Sequence, residues 1–147
     1  QGDQILLRLQ QEDRSHAQKQ LDSVNEKILE MEQTHYTIDV KLLDEISGIG
    51  QLTAQQIIAE IGTGMSKFET ADQLTSWPAL ASGNNESAGK KKSTSTKKGN
   101  KYLRTSMVSA AWAAARSKKT YWFILLRYLK RKKSAKKATI AIARRML

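Results

Sequence analysis

From Ala17 to Leu42 the apolar positions step by 4, 3, 4, 3, 4, 3 and 4, through Ala17, Leu21, Val24, Ile28, Met31, His35, Ile38 and Leu42. Seven of these eight are apolar, and a mean step of 3.5 keeps one narrow stripe facing a partner helix. The spacing therefore predicts a coiled-coil arm over residues 1–41 and a homo-oligomer built through it. Glu26, Lys27, Glu30 and Glu32 fall outside the stripe, and neither Gly nor Pro occurs between Asp3 and Ser47. His35, the polar member, reads as a register-setting residue rather than a ligand or pH switch. Upstream the register breaks at Arg14 and Gln10, leaving Ile5 to Leu9 as a separate apolar cluster.

Past Leu42 the period becomes that of packed helices. In "LLDEISGIGQLTAQQIIAEIG", residues 42–62, Gly48 and Gly50 flank Ile49 in a tight turn, and Leu52, Ala54, Ile57, Ile58 and Ile61 recur at helical spacing before Gly62 as a C-cap. This is a helix-hairpin-helix pattern, whose second helix can point free N–H groups at a phosphate. An ordinary helical hairpin buried in a core has the same pattern. "SKFETADQLTSWPALA" predicts a short helix anchored by Phe68, Leu74 and Trp77 and stopped by Pro78. After a Gly/Ser/Lys-rich loop over 82–99, Asn100 can cap a helix with Leu103, Met107, Ala110, Ala111 and Ala114 on one face. A second helix, Tyr121 to Lys132, is expected to bury Tyr121, Leu125 and Tyr128, and Ser134 can cap a third that ends at Leu147. No stretch alternates well enough to predict a strand. The expected fold is all α: a coiled-coil arm, then a small helical domain over 42–147 interrupted by a long basic loop.

Charge changes the picture more than composition does. The net charge is +11, but all fourteen acidic residues lie at or before Glu86, alongside only six basic ones. Residues 1–86 thus carry −8, and the 61 residues after them carry +19 with no carboxylate among them. Such a segment concentrates polyanions by counterion release, which points to nucleic acid; a ribosomal-type or membrane-surface segment shares the feature. With no Cys and only two His, disulfides and thiolate metal sites are excluded, as expected of an intracellular chain. No apolar run nears the roughly 20 residues of a membrane span. The chain opens on Gln1 with its first Met at position 31, so it is expected to be a piece of a longer protein.

Four segments stand in a distinctive order: "ISGIGQLTAQQIIAEIG", "FETADQLTSWPALA", "NNESAGKKKS" and "KKGNKYLRTSMVSAAWAAAR". Together they resemble the C-terminal domain of insertion-sequence transposases of the IS-one-ten family, over about residues 42–147. The resemblance implies a serine-nucleophile transposase or recombinase acting on DNA phosphodiesters. In that family a RuvC-like domain, which these segments do not include, holds Mg²⁺ on four acids. No cofactor or metal ligand is then expected in this chain, Mg²⁺ being expected through the RuvC-like domain. It also implies DNA, and a structured guide RNA, as partners in a bacterial or archaeal cytoplasm at the nucleoid.

Ser87 of "ESAGK" falls where the family keeps its nucleophile, with Ala88 standing where many relatives have a glycine. By composition alone this loop is a linker, and Ser82, Ser93 and Ser95 are not separable from Ser87. A serine hydroxyl needs a base or a metal to become a nucleophile, and Glu86 is the nearest carboxylate in sequence. The chain alone is therefore expected to bind DNA without cutting it. Candidate nucleic-acid contacts are Gly48 and Gly50 at the turn, Lys90, Lys91, Lys92, Lys97 and Lys98 of the loop, and Arg104 one turn into the following helix. Gly99 and Asn100 also read as plain turn and cap, and Arg104 as a solvated surface residue.

Overall fold

A computed structural model describes residues 2–81, 83, 85–87, 90–93 and 98–147; for residues 2, 3, 34, 35, 85–87 and 90–93 it describes the backbone alone. The chain divides into two units, residues 1–37 and 38–147. The second unit begins four residues before the boundary read from the sequence.

The first unit is α1 (Gly2–Met31) followed by a π-helical turn, Glu32–Tyr36. Leu21, Val24, Ile28 and Met31, the apolar stripe, are all exposed. The π turn widens the helix locally, so the uniform step assumed for the stripe holds only as far as Met31. The hydroxyl of Thr37 donates to the carbonyls of Glu32 and Gln33, at 3.0 and 3.2 Å. The side chain of His35 lies outside the described residues.

The second unit is all α in architecture: α2 (Thr37–Asp44), α3 (Gln51–Ile61), a 3₁₀ turn (Met65–Lys67), α4 (Ala71–Ser76), α5 (Lys101–Arg116), α6 (Tyr121–Lys130) and α7 (Ala135–Met146). Its centre is α5, which packs on α3, α6 and α7. The predicted face of α5 is the buried one: Leu103, Met107, Ala110, Ala111 and Ala114 are all inside, joined by Ala115. Small side chains there let neighbouring backbone come close. α7 answers with Ala138, Ile142 and Ala143, and α3 with Ala54, Ile57, Ile58 and Ile61.

Other faces differ from expectation. Tyr121 and Tyr128 are 56% and 52% exposed, and the buried residue of α6 is Leu126. Most of α6 is apolar, so its sequence offers several equivalent stripes, and contact with α5 and α7 selects one. Leu52 and Trp77 are likewise exposed, whereas Leu74 is buried. Ser134 is the N-cap residue of α7 as predicted, but its side chain makes no capping bond.

One strand-forming segment departs from the sequence reading. Asn85–Ser87 (β1) and Lys90–Ser93 (β2) pair as an antiparallel ribbon, with Glu86 opposite Lys91 and Ser87 opposite Lys90. Side-chain alternation cannot reveal such a ribbon, because its pairing is made by main chain between two legs that start and end at one place.

Gly48 illustrates how tightly the unit is packed. Its φ is +96°, and a Cβ there would stand 2.5 Å from the Ala110 carbonyl oxygen and 2.6 Å from the Ala114 Cβ. Gly50, by contrast, caps α3 in an extended conformation (φ −101°) with open space around it. Gly48→Ala should therefore cost about 2–5 kcal/mol, combining left-handed strain with overpacking. Gly50→Ala should change stability by no more than about 1 kcal/mol. Urea denaturation of the two variants checks both values.

Candidate functional site

On either side of the ribbon segment, the chain up to Ala81 and the chain from Lys98 meet in a hydrogen-bonded base. α4 starts at Thr70, whose hydroxyl oxygen accepts from Gln73 N–H at 3.2 Å, while the Gln73 side chain accepts from Glu69 N–H at 2.9 Å. This reciprocal capping fixes where α4 begins. It ends before Pro78, a residue buried almost completely and unable to donate to a continuing helix. Ala79 then takes a left-handed conformation, φ +55°, which costs a non-glycine residue free energy and is retained where the surroundings over-determine it.

Those surroundings are specific. Ala79 N–H donates to the Ser76 carbonyl at 2.9 Å, and the N–H groups of Leu80 and Ala81 both donate to the Thr75 carbonyl, at 3.0 and 3.3 Å. The returning leg closes over the same turn, with Asn100 N–H donating to the Trp77 carbonyl at 3.0 Å. Gly99 fits there for lack of a side chain: a Cβ would stand 2.4 Å from the Trp77 carbonyl oxygen and 2.8 Å from Ala79 N. The Arg104 guanidinium reaches from α5 and donates to the Ala79 carbonyl.

Asn100 joins this base to α5 and α3. Its Oδ1 accepts from the N–H groups of Tyr102 and Leu103, each at 3.0 Å, so it is the predicted cap. Its Nδ2 donates to Glu60 of α3. Six residues on, Ser106 Oγ donates to Gln56 Oε1 at 2.7 Å, a second α3–α5 link. The chain up to Ala81 and the chain from Gly99 are thus tied to each other, and the latter to α3.

The residues singled out from the sequence do not converge on one point. Gly48 packs beside Ala110 and Ala114, whereas the ribbon base sits at Asn100–Arg104, about 15 Å away along α5 at 1.5 Å per residue. Ser87 ends β1, and Lys90, Lys91 and Lys92 belong to β2, but their side chains lie outside the described residues, as does Lys97 altogether. Lys98 is exposed on the returning leg. Arg104 is half-buried and commits one guanidinium nitrogen to the Ala79 carbonyl, which a surface or phosphate-facing reading did not anticipate. Sequence reasoning also missed Glu60 and Ala79. Glu60 lies forty residues from Asn100 and no local pattern marks it.

Among the described residues, no group of three or more His, Asp or Glu could hold a metal ion, and no helix is long and apolar enough to cross a membrane.

The second unit is thus a helical domain with a lysine-bearing antiparallel ribbon between α4 and α5. Residues 40–125, more than half of the chain, match the family described as Transposase IS116/IS110/IS902, and the chain belongs to that family. Its function is accordingly of the transposase type. No curated protein and no solved structure matches it.

Arg104→Ala should leave the Ala79 carbonyl without its charged donor, costing about 1–3 kcal/mol. Hydrogen exchange over residues 85–93 should accelerate in the same variant, and mass-spectrometric exchange measures it.

Proposed function

We propose that this chain is the DNA-binding, serine-nucleophile part of an insertion-sequence transposase or recombinase acting on DNA phosphodiesters. The observation that supports the reading is Ser87 at the end of β1, paired with the lysine-bearing β2. In the proposed step the Ser87 hydroxyl gives up its proton as its oxygen bonds to phosphorus, the strand's ester oxygen departs and takes up a proton as a free hydroxyl, and the strand is held as a phosphoserine link. Lys90, Lys91, Lys92, Lys97 and Lys98 supply positive charge for the phosphate. Arg104, in this reading, sets the ribbon's base and offers its remaining donors to the backbone of bound DNA. The described residues include no ligand cluster that fits Mg²⁺, so no step is assigned to a metal held by them. Mg²⁺ would come with a RuvC-like domain, and a structured guide RNA would bind the assembled protein.

The turn at Gly48–Gly50 contributes separately. Gly50 opens α3 without a side-chain cap, a geometry suited to meeting one phosphate through backbone N–H groups, as in a helix-hairpin-helix. Should this be the chain's whole role, it is a non-catalytic nucleic-acid-binding module with a basic tail.

Covalent trapping separates the two. The chain alone should bind DNA without cutting it; joined to a RuvC-like domain it should form an adduct that peptide mass spectrometry maps to Ser87. An adduct on Ser82, Ser93 or Ser95, or full activity in Ser87→Ala, overturns the serine assignment.

The exposed stripe of α1 is proposed to pair with a second copy of the arm as a coiled coil. Light scattering should show a dimer for the wild-type chain and a monomer for the double variant Val24→Asp, Ile28→Asp.

A further inference from the structure

We propose that the C-terminal end of α6 is a docking surface for single-stranded DNA, distinct from the ribbon. α6 closes on Lys130, and Arg131, Lys132 and Lys133 form the turn toward α7. All four are exposed, and none makes an ion pair among the described residues. Lys136 and Lys137, in the first turn of α7, are exposed as well. No acidic residue follows Glu86 in the sequence, so the nearest carboxylates must come from other elements. The one such contact among the described residues of α7 is Arg144 with Asp72, at 2.8 Å.

Cations alone would suit any polyanion, and the aromatic rings beside them narrow the choice. Trp112 of α5 is 43% exposed, with the Lys130 ammonium 6.0 Å from its ring centroid. Tyr128 is more than half exposed, with the Lys132 ammonium 5.2 Å from its centroid and 3.3 Å from its hydroxyl. Positions 128 and 130 lie about 200° apart around a helix of 3.6 residues per turn. Each ring thus stands beside a cation at the end of α6 or in the turn that follows it.

Neither ring is used to hold the fold together in the way Leu126 or Met107 is, and each keeps a large apolar face in water beside a lysine. That arrangement fits an unpaired strand, whose phosphates take the lysines and whose bases stack on the rings. A duplex hides its base faces and would gain only the charge. The commitment to DNA rests on the family's transposase function, since exchanging strands between duplexes exposes unpaired segments. It does not depend on Ser87. Tyr128 and the four cations also lie past residue 125, outside the stretch matched to the family.

Fluorescence anisotropy of the whole chain with labelled oligothymidine tests the proposal. Trp112→Ala and Tyr128→Ala should each weaken binding roughly fivefold or more, the range expected of one lost stacking contact. Trp112→Phe and Tyr128→Phe should bind within about twofold of wild type, because any aromatic face suffices. Affinity for a blunt duplex of the same length should be unchanged in all four variants. In the wild-type chain, ultraviolet cross-linking of a bromodeoxyuridine oligomer should map to the peptides holding Trp112 and Tyr128. Alanine variants that bind oligothymidine like wild type, or that lose duplex binding equally, overturn the proposal, and so does tighter binding of oligouridine than of oligothymidine. Ser87→Ala should leave oligothymidine binding intact. Failure of the serine chemistry and failure of this surface would therefore be read separately.

Discussion

The close approach of other backbones to α5 is the constraint on which the helical unit depends. Ala110, Ala111, Ala114 and Ala115 present almost no side chain, and the Gly48 turn lies against them with no room for a Cβ. α7 enters the same face through Ala138 and Ala143. Packing at this density makes a single added methyl group costly, because nothing nearby can move aside without shifting main chain. It also makes α5 a rigid beam, with the glycine turn at one part of its length and the ribbon base at its start.

That beam matters because the ribbon could not stand alone. A two-stranded ribbon without a hydrophobic face is marginal in water, and this one carries three consecutive lysines that repel each other. Among the described residues, none of the buried side-chain N or O atoms lacks a hydrogen-bond partner. The left-handed Ala79, the crowded Gly99 and the Arg104 donor are three parts of one device. Strain at Ala79 is offset by hydrogen bonds from both sides of the turn.

Charge is distributed to match. Thirteen of the fourteen acidic residues lie at or before Asp72 and the last, Glu86, is on the ribbon, while every charged residue after it is basic. Glu60 faces Asn100, and Asp72 pairs with Arg144, so two carboxylates reach across to the basic half where it meets α3 and α4. At the end of α6, Lys130, Arg131, Lys132 and Lys133 make no ion pair among the described residues, and two of them stand beside aromatic rings.

Much of this was legible in the residues alone. Helical spacing located α3, α5 and α7, and the alanine run identified the buried face of α5, because period and side-chain size are local properties. Asn100 as a cap and the charge asymmetry were equally plain. The family resemblance stated from four motifs agrees with the match over residues 40–125. Tertiary contact alone decided the rest: which stripe of the mostly apolar α6 turns inward, that Arg104 points to the Ala79 carbonyl, and that Glu60 holds Asn100 across forty residues. It also decided that a lysine-rich segment pairs as a ribbon, since that pairing is made by backbone groups common to every residue and set by where the two legs are anchored.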